Sequence, residues 1–406
     1  MSSSHLHSSP INSCFDTINN RNRLRQIYLL LDQRELDRRL KTLQDLKHHP
    51  YTNLQARLDN DIYPYDPTRL KLFLPIAKSD YINATWISEP SLTLEPQILN
   101  QNSKNLSLQS QPWIAAQGPL RQTRYEFLSL FLHPNPKLRP RVIIQLTACQ
   151  EAGREKSACY IPTEIATCIE FRPYLTTPQT SIEPDTYRWS SFNDSEKKFY
   201  GHIKVTLEST SLGPINNFNK SSSSTSSHFY RKNILLLQLS GIDKTIPSTS
   251  NINPLLSTAR VIHYECLDWP DRGTPTEIEP IFEMIKSAKS NSLDPQIPSN
   301  PCPILVHCSA GVGRTGTFIA IASCMSRITF LKDLPKPQFL SSLCNMPTEV
   351  QNHQSGGLKP LSTFLENDLV AKTVDFLREQ RICMVQTEEQ LEFVYKAVGK
   401  ILSSLI

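Results

Sequence analysis

Short apolar runs along the chain predict a set of buried strands. Ile304–Val306 is entirely apolar, which is typical of a short strand covered on both faces. Similar runs predict further strands at about 142–146, 203–207, 233–239 and 260–264. Since these strands are interleaved with helical patterns, we predict an α/β (α+β) fold in which a twisted, mixed β-sheet is flanked by helices.

Apolar residues three and four positions apart predict the helices. Phe318, Ile319 and Ala322 indicate a buried helix that follows Thr315. Other helices are predicted at about 21–47, 123–132, 279–289, 361–378 and 388–402. The first of these carries a stripe that we expect to pack on the main domain, with partner binding as the alternative; the stripe comprises Ile27, Leu30, Leu31, Leu36, Leu40, Leu43 and Leu46.

The domain organisation follows from these patterns. Residues 1–20 are polar and Ser-rich, and we predict that they are disordered. Residues 21–50 form a helical extension, and residues 51–406 form a single domain. Segments rich in Ser, Asn, Gln or Pro are interpreted as its surface insertions, at 95–112, 172–186, 209–230, 243–258, 290–301 and 331–358.

Composition narrows the class of protein. The formal net charge is only +5, and we see no block of Lys and Arg, so nucleic-acid binding gains little support. The ten cysteines include no Cys-x-x-Cys pair, which indicates reduced thiols in a cytosolic or nuclear protein. We find no secretory signal and no apolar stretch of membrane-spanning length.

The most informative stretch lies between the strand at 304–306 and the helix after Thr315. Three of the chain's twelve glycines fall within six positions there, which predicts a tight loop whose N–H groups form an anion-binding nest at a helix N-terminus. Cys308 opens the loop and Arg314 closes it. The helix end favours a thiolate, and the guanidinium can grip two phosphate oxygens. The nest amides belong to Ser309, Ala310, Gly311, Val312, Gly313 and Arg314.

This pattern predicts a phosphatase that works through a phosphocysteine. Residues 307–316, His-Cys-Ser-Ala-Gly-Val-Gly-Arg-Thr-Gly, resemble the signature loop of the cysteine-dependent protein tyrosine phosphatases. The single-domain, non-receptor members, including fungal ones, are the nearest type. The resemblance implies a protein tyrosine phosphatase-like catalytic domain that needs no metal or cofactor. The competing interpretation is a buried Cys with a nearby surface Arg.

A second motif, Trp269-Pro270-Asp271, resembles the mobile loop that carries the general acid of this family. By that resemblance Asp271 protonates the leaving phenol oxygen, and Trp269 anchors the hinge of the loop. Without the resemblance, Asp271 could simply cap a turn before Gly273, and the neighbouring Asp268 is a rival carboxylate.

Residues 385–390 resemble the segment that places the hydrolytic water. The resemblance implies that Gln386 orients this water and that Gln390 assists, although Thr387 with Gln390 also fits a helix capping box. Within the signature loop, we expect Thr315 to donate a hydrogen bond to the Cys308 sulfur. His307 is expected to orient the loop, with proton transfer as the alternative.

Two further segments carry weaker matches. Residues 151–162 resemble a degenerate family motif in which Glu151 pairs with Arg314 and Lys156 meets the Asp271 loop; a solvated charge run is the alternative. Asp61 stands where the family has a carboxylate that holds the substrate backbone. Asp59 occupies the position of an expected aromatic residue, which leaves the strictness of tyrosine selectivity open.

These features predict hydrolysis of phosphotyrosine in proteins, in signal transduction, by a monomer. The substrates expected by analogy include phosphotyrosine on a signalling kinase. A dual-specificity or phosphoinositide phosphatase is one alternative, although Ser309–Gly313 contains no Lys to meet extra phosphates. A phosphotyrosine-binding pseudoenzyme is another, but Cys308, Asp271 and Gln386 are all present.

Overall fold

The computed structural model describes most of the chain, and the following account is confined to those residues. They are 10–45, 62–65, 67–76, 79–94, 106–173, 201–213, 229–240, 257–270, 273–294, 297–346, 365 and 367–405. Helices are α1 (Pro10–Ile18), α2 (Arg21–Asp45), α3 (Arg124–Ser129), α4 (Glu279–Ser292), α5 (Gly313–Leu331), α6 (Lys336–Leu343), α7 (Leu369–Gln380) and α8 (Glu388–Ser403). Two short 3-10 turns, Arg121–Thr123 and Leu130–Leu132, flank α3.

The strands are mostly short. They are β1 (Arg69–Ile76), β2 (Ser79–Ile87), β3 (Thr93–Leu94), β4 (Leu106–Ser107), β5 (Trp113–Ala116), β6 (Val142–Gln145), β7 (Gln150–Glu151), β8 (Arg154–Glu155), β9 (Cys168–Phe171), β10 (His202–Leu212), β11 (Tyr230–Ser240), β12 (Thr258–Cys266), β13 (Leu293–Asp294), β14 (Ile297–Pro301) and β15 (Ile304–His307). Nine of them form the main sheet in the order β1-β2-β5-β15-β6-β12-β11-β10-β9.

The centre of this sheet is parallel and its flanks are antiparallel. Strand β15 pairs in parallel with β5 and β6, and β12 pairs in parallel with β6. Every residue of β5, β6 and β15 is buried, because helices cover both faces at this point. The prediction of a mixed sheet flanked by helices is therefore confirmed, and the carboxyl end of β15 lies between two parallel neighbours.

The two faces of the sheet bury separate apolar clusters. One face packs against α5, α7 and α8 through residues such as Phe318, Val374 and Val394. The opposite face packs around α3, with Phe127, Phe131 and other apolar side chains. Within the described residues, no helix has the length and apolar character needed to cross a membrane.

The prediction of disorder through residue 20 is wrong for residues 10–18, which form α1. This helix buries Ile11 and Cys14 in the main core. It docks on α8 at Gly399, where an added Cβ would lie 2.7 Å from Ile18 Cδ1. The pattern is short and carries only a few apolar residues, so its partner, nearly 400 residues away in sequence, was not visible from local composition.

Helix α2 packs on the domain as predicted, and Ile27 and Leu31 of the predicted stripe are buried. The side chains of Leu43 and Leu46 lie outside the described residues. Leu24, Ile27 and Leu31 are buried, whereas Leu30, Leu36 and Leu40 are exposed. The buried face continues with two charged residues, Glu35 and Arg38, which have partners on or next to α7. The prediction is therefore wrong for Leu30, Leu36 and Leu40, because charged residues with partners take their places on the buried face.

Other boundaries also differ from the sequence prediction. Helix α7 begins at Leu369 rather than near 361, because the Asp368 side chain caps it by accepting a hydrogen bond from the Ala371 N–H. The region 331–358 is not simply an insertion, since it contains α6 with Phe339 and Leu343 buried. Residues 209–212 complete β10, and β14 lies within the predicted insertion 290–301.

We expect the docking of α2 to contribute to the stability of the whole domain. Ile27→Ala should lower the free energy of unfolding by about 2–5 kcal/mol, because the removed methyl groups leave a cavity in the main core. Leu29→Ala, two residues along the same helix with Leu29 55% exposed, is the matched control and should change it by less than about 0.5 kcal/mol. Urea denaturation measures both; equal effects would show that α2 is not docked.

Candidate active site

The active-site loop connects the centre of the sheet to the N-terminus of α5. Strand β15 ends at His307, and α5 begins at Gly313. Cys308 lies at the start of the loop with only 5% of its surface exposed. Its sulfur accepts a hydrogen bond from the Gly311 N–H at 3.3 Å. The thiol therefore sits within the turn of the loop, close to the positive end of the helix.

The carbonyl groups of the loop are held outward. Ser309 O accepts from the Gly118 N–H at 2.9 Å, and Val312 O accepts from the Gly316 N–H at 2.7 Å. The carbonyls of Ala310 and Gly311 accept from the Arg381 guanidinium at 3.1 and 2.9 Å. With its acceptors engaged on the outside, the loop can present its N–H groups to an anion on the inside.

Two glycines are required by space, and one of them also by conformation. Gly311 has φ of +72°, and a Cβ there would lie 2.1 Å from Ala116 O. A Cβ on Gly316 would lie 2.4 Å from Val385 N, in the connection between α7 and α8. The loop and helix thus approach neighbouring backbone too closely for any side chain.

Arg381 is the site residue that sequence reasoning missed. It is fully buried, and besides the loop carbonyls it donates to Thr85 Oγ1 and Asn83 Oδ1, both at 2.8 Å. Burial lowers the pKa of Arg381 to about 10, so the group remains a cation at neutral pH. It ties the loop to β2 and also places a positive charge behind Cys308. No local motif marks it, because its partners come from two distant segments, β2 and the active-site loop.

Arg314 is held as a fixed fork by Glu151. Its two terminal nitrogens donate to the two carboxylate oxygens of Glu151, both at 2.6 Å. One of them also donates to the carbonyls of Leu146 and Trp269, at 2.9 and 3.2 Å. The guanidinium is 3% exposed. A bidentate pair of this kind fixes the plane of the guanidinium before any phosphate binds.

The electrostatics of the Glu151 site favour the carboxylate. Burial alone would raise the pKa of Glu151, but hydrogen bonds from Arg314 and Thr147 outweigh it and lower the pKa below its usual value. Glu151 stands on the β7–β8 hairpin, and Lys156 follows that hairpin, where its N–H donates to Cys149 O at 2.8 Å. The structure brings Glu151 and Arg314 together.

His307 lies behind the loop in a closed environment. Its Nδ1 is 3.2 Å from Cys308 O, and its Nε2 is 2.7 Å from the Tyr160 hydroxyl. Because a carbonyl oxygen only accepts, the proton is on Nδ1 and Tyr160 donates to Nε2. Burial lowers the pKa of His307 to about 4. The ring is therefore neutral at pH 7 and orients the loop through both nitrogens.

Thr315 differs from its expected contact. It is fully buried in the first turn of α5, and its hydroxyl has no hydrogen-bond partner among the described residues. The predicted hydrogen bond from Thr315 to Cys308 is not formed in this structure, where the sulfur accepts from the Gly311 N–H instead. The hydroxyl is left with an unused donor close to the loop.

Gln386 and Gln390 lie beside the loop at the start of α8. A Cβ on Gly313 would be 3.0 Å from Gln390 Oε1 and 3.3 Å from Gln386 Cβ. Gln390 Oε1 accepts from the Gln386 N–H at 2.9 Å, and Thr387 caps the helix by accepting from the Gln390 N–H. The Gln386 side chain is exposed while Gln390 is buried. The Gln386 side chain thus faces solvent, and the Gln390 side chain holds the backbone of Gln386.

The loop that carries the predicted general acid is described only at its two sides. Trp269 is 5% exposed, packs near Phe393 with ring centroids 6.2 Å apart, and donates from Nε1 to Gly273 O at 3.1 Å. Asp271 itself lies outside the described residues, as do Asp61 and Asp59. In the described part of the chain, no cluster of three or more His, Cys, Asp or Glu side chains is arranged to hold a metal ion.

The buried His307 predicts a dependence of stability on pH. The unfolded chain binds a proton below about pH 6.5 but the native ring only below about pH 4. The stability that His307 contributes is therefore present above pH 6.5 and is lost as the pH falls towards 4, by roughly 3 kcal/mol in total. His307→Asn should flatten this part of the pH profile in urea denaturation. A profile as steep as that of the wild type would contradict the assignment of a neutral, buried ring.

Several known proteins are similar to this chain over most of its length. The chain is 28% identical to "Tyrosine-protein phosphatase 1" of Saccharomyces cerevisiae over 85% of this chain and 81% of the relative. It is 24% identical to "Tyrosine-protein phosphatase non-receptor type 20" of Rattus norvegicus and 27% identical to "Tyrosine-protein phosphatase 2" of Schizosaccharomyces pombe. The matches cover 54% and 32% of these two longer relatives.

The sequence model of one protein family also matches much of this chain. The model described as "Protein-tyrosine phosphatase" matches residues 53–207 and 185–354, which together make up more than half of the chain. This span contains the active-site loop with Cys308 and Arg314, the Glu151 hairpin and Trp269. The chain therefore belongs to the protein-tyrosine phosphatase family.

Proposed function

We propose that this chain hydrolyses phosphotyrosine in proteins through a phosphocysteine intermediate on Cys308. The observation that carries the proposal is the position of the thiol inside a loop whose carbonyls are turned outward, next to the Arg314 fork held by Glu151. This arrangement offers three equatorial phosphate oxygens a set of N–H donors and a fixed guanidinium before the substrate arrives.

In the first step, the Cys308 thiolate attacks phosphorus as the bond from phosphorus to the phenol oxygen breaks. Asp271 gives its proton to that oxygen, so tyrosine leaves as the neutral phenol. Arg314 and the amides of residues 309–314 stabilise the charge on the transferred phosphoryl group. The Trp269 carbonyl, which accepts from Arg314, links the acid-bearing loop to the phosphate site.

In the second step, water attacks the phosphocysteine and the bond between sulfur and phosphorus breaks. Gln386 orients this water, and the ionised Asp271 takes up its proton. The position of Gln386 beside Gly313 and its support by Gln390 favour this assignment. The Thr315 hydroxyl, which has no hydrogen-bond partner among the described residues, would donate to the departing sulfur.

The remaining site residues receive supporting roles by their resemblance to the family. Lys156 would meet the closed loop of Asp271, and Asp61 would hold the backbone of the substrate. His307 orients the loop rather than transferring protons, since its ring is buried and its two nitrogens are engaged. Residues 51–406 would form the catalytic domain, with α1 and α2 packed on it.

The biological setting follows from the chemistry and the relatives. A thiol nucleophile requires a reducing compartment, which supports a cytoplasmic or nuclear location. Proteins bearing phosphotyrosine, including a signalling kinase, are the expected substrates, and the chain would act as a monomer in signal transduction. The names of the relatives, such as "non-receptor type 20", support this class.

Removing the nucleophile or the acid should separate binding from turnover. Cys308→Ser should abolish hydrolysis of p-nitrophenyl phosphate because an alcohol does not replace the thiolate, while a phosphotyrosine peptide still binds.

Asp271→Ala should lower kcat about 100- to 10,000-fold, the range expected for a general acid, and should trap substrates from a lysate. A wild-type protein that binds phosphopeptide without turnover would instead be a binding module. If the trapped proteins carried mostly phosphoserine and phosphothreonine, the proposal of phosphotyrosine substrates would be wrong.

The Glu151 carboxylate should matter through the geometry of Arg314. Glu151→Gln keeps the shape of the side chain but removes the charge and one acceptor, so the guanidinium loses its fixed plane. We expect kcat/KM for p-nitrophenyl phosphate to fall roughly 10- to 100-fold. Glu155→Gln, on the same hairpin but paired with the exposed Arg121, is the control and should stay near the wild-type value. Equal activity of both variants would remove Glu151 from the site.

A further inference from the structure

The connection between α7 and α8 carries Gln386 in a strained backbone. Cys383 and Val385 have φ of +57° and +61°, although neither is glycine. For a β-branched residue such as Val385 this conformation is a genuine outlier, and such residues persist only where their surroundings hold them. The position of Gln386 therefore depends on the contacts that hold residues 381–387.

Some of these contacts come from the catalytic domain itself. Arg378, in α7, donates to the carbonyls of Met384 and Val385 at 2.9 and 2.8 Å. The Val385 N–H donates to Val312 O at 3.3 Å. This bond joins the connection to the active-site loop, called the phosphate loop from here on. Gln386 is thus linked to the loop through its neighbour in sequence.

The other contacts come from one face of α2. The Tyr28 hydroxyl donates to Gln386 O at 2.7 Å. The Glu35 carboxylate accepts from the Cys383 N–H at 3.0 and 3.1 Å. Asp32 accepts from Arg378 at 2.7 Å, between the other two. Positions 28, 32 and 35 lie four and three residues apart, so a single helix face reaches Cys383, Gln386 and Arg378, the residue that holds Val385.

This face is itself held in place. Ile27 and Leu31 are fully buried in the main core. Arg34 donates to the Asp375 carboxylate of α7 at 3.0 Å, and Arg38 pairs with the same carboxylate. Burial, together with the charge of Asp32, raises the pKa of Tyr28 to about 12, so its hydroxyl remains a donor at neutral pH. The face is therefore fixed against α7 in the folded domain.

We propose that Tyr28 and Glu35 are positioning residues for Gln386, and that α2 thereby controls the hydrolysis of the phosphocysteine. The inference rests on the proposed function of Gln386. Neither side chain touches the phosphate loop, Arg314 or Cys308 in the hydrogen bonds of the described residues. Their loss should therefore leave formation of the phosphocysteine intact and slow its reaction with water.

The two steps report on different kinetic constants. The ratio kcat/KM includes only the steps up to release of the phenol, whereas kcat also includes hydrolysis of the intermediate. A slower second step lowers kcat, leaves kcat/KM unchanged and enlarges the burst of nitrophenol seen on rapid mixing. A merely structural defect would instead lower both constants together.

The experiment uses the full chain with Tyr28→Phe, Glu35→Gln and the double variant. We expect the decay of phosphoenzyme formed from 32P-labelled p-nitrophenyl phosphate, measured by rapid acid quench, to slow about 2- to 10-fold in each single variant, the range for one lost hydrogen bond. The double variant should slow it further. Gln33→Ala is the matched control, because Gln33 is exposed on α2 and bonds only to Asp37 within the helix among the contacts described; its decay rate should equal that of the wild type.

The outcomes separate this inference from the proposed function. A decay rate equal to that of the wild type in all three variants would overturn the positioning role. So would a parallel fall of kcat/KM and kcat, or slower labelling of Cys308 by iodoacetate, since either would show damage to the loop. By contrast, a wild-type protein that forms no phosphoenzyme dependent on Cys308 would overturn the proposed function itself.

Discussion

The outward orientation of the carbonyl groups in the phosphate loop is the constraint on which the rest of the site depends. A loop that binds an anion must turn its N–H groups inward, and its carbonyls then need donors on the outside. Arg381 supplies two of these donors, and the Gly118 and Gly316 N–H groups supply others. A buried carbonyl without a donor costs about 1–3 kcal/mol. The donors outside the loop are therefore needed if the loop N–H groups are to face inward.

Arg381 and Arg314 use buried positive charge in different ways. Among the hydrogen bonds of the described residues, the Arg381 guanidinium is engaged by neutral carbonyl, amide and hydroxyl oxygens, and it brings a positive charge close to Cys308. Arg314 is paired with the Glu151 carboxylate, so its charge is balanced while its orientation is fixed. The first residue shapes the loop, and the second is held in one orientation.

The N-terminal helices belong to the same physical unit as the site. Helix α1 packs on α8, and α2 packs on α7, the two helices that enclose the Gln386 connection. Their contacts combine buried apolar residues with charged groups such as Glu35 and Arg38, each of which has a partner. Burying charges at these positions costs desolvation energy, which the ion pairs with α7 must offset.

The sequence by itself determined the parts of this protein that lie within one continuous segment. The strand, loop and helix from 304 to 331 were readable because glycine spacing, helix periodicity and the Cys308 to Arg314 interval are local properties. The sheet class followed from strands alternating with helices. The charged part of the buried face of α2, the existence of α1 and the start of α7 were missed, since each depends on a partner or a cap that propensity does not record.

Only the tertiary structure decided which distant residues complete the site. Arg381 lies 70 positions from the carbonyl that it holds, and Tyr28 lies 358 positions from Gln386. The link between Glu151 and Arg314 was implied by resemblance, but its bidentate geometry depends on a hairpin 163 positions away. Hydrogen bonds across such separations leave no periodic trace in the sequence, because they are set by how the helices and sheet pack and not by local backbone preference.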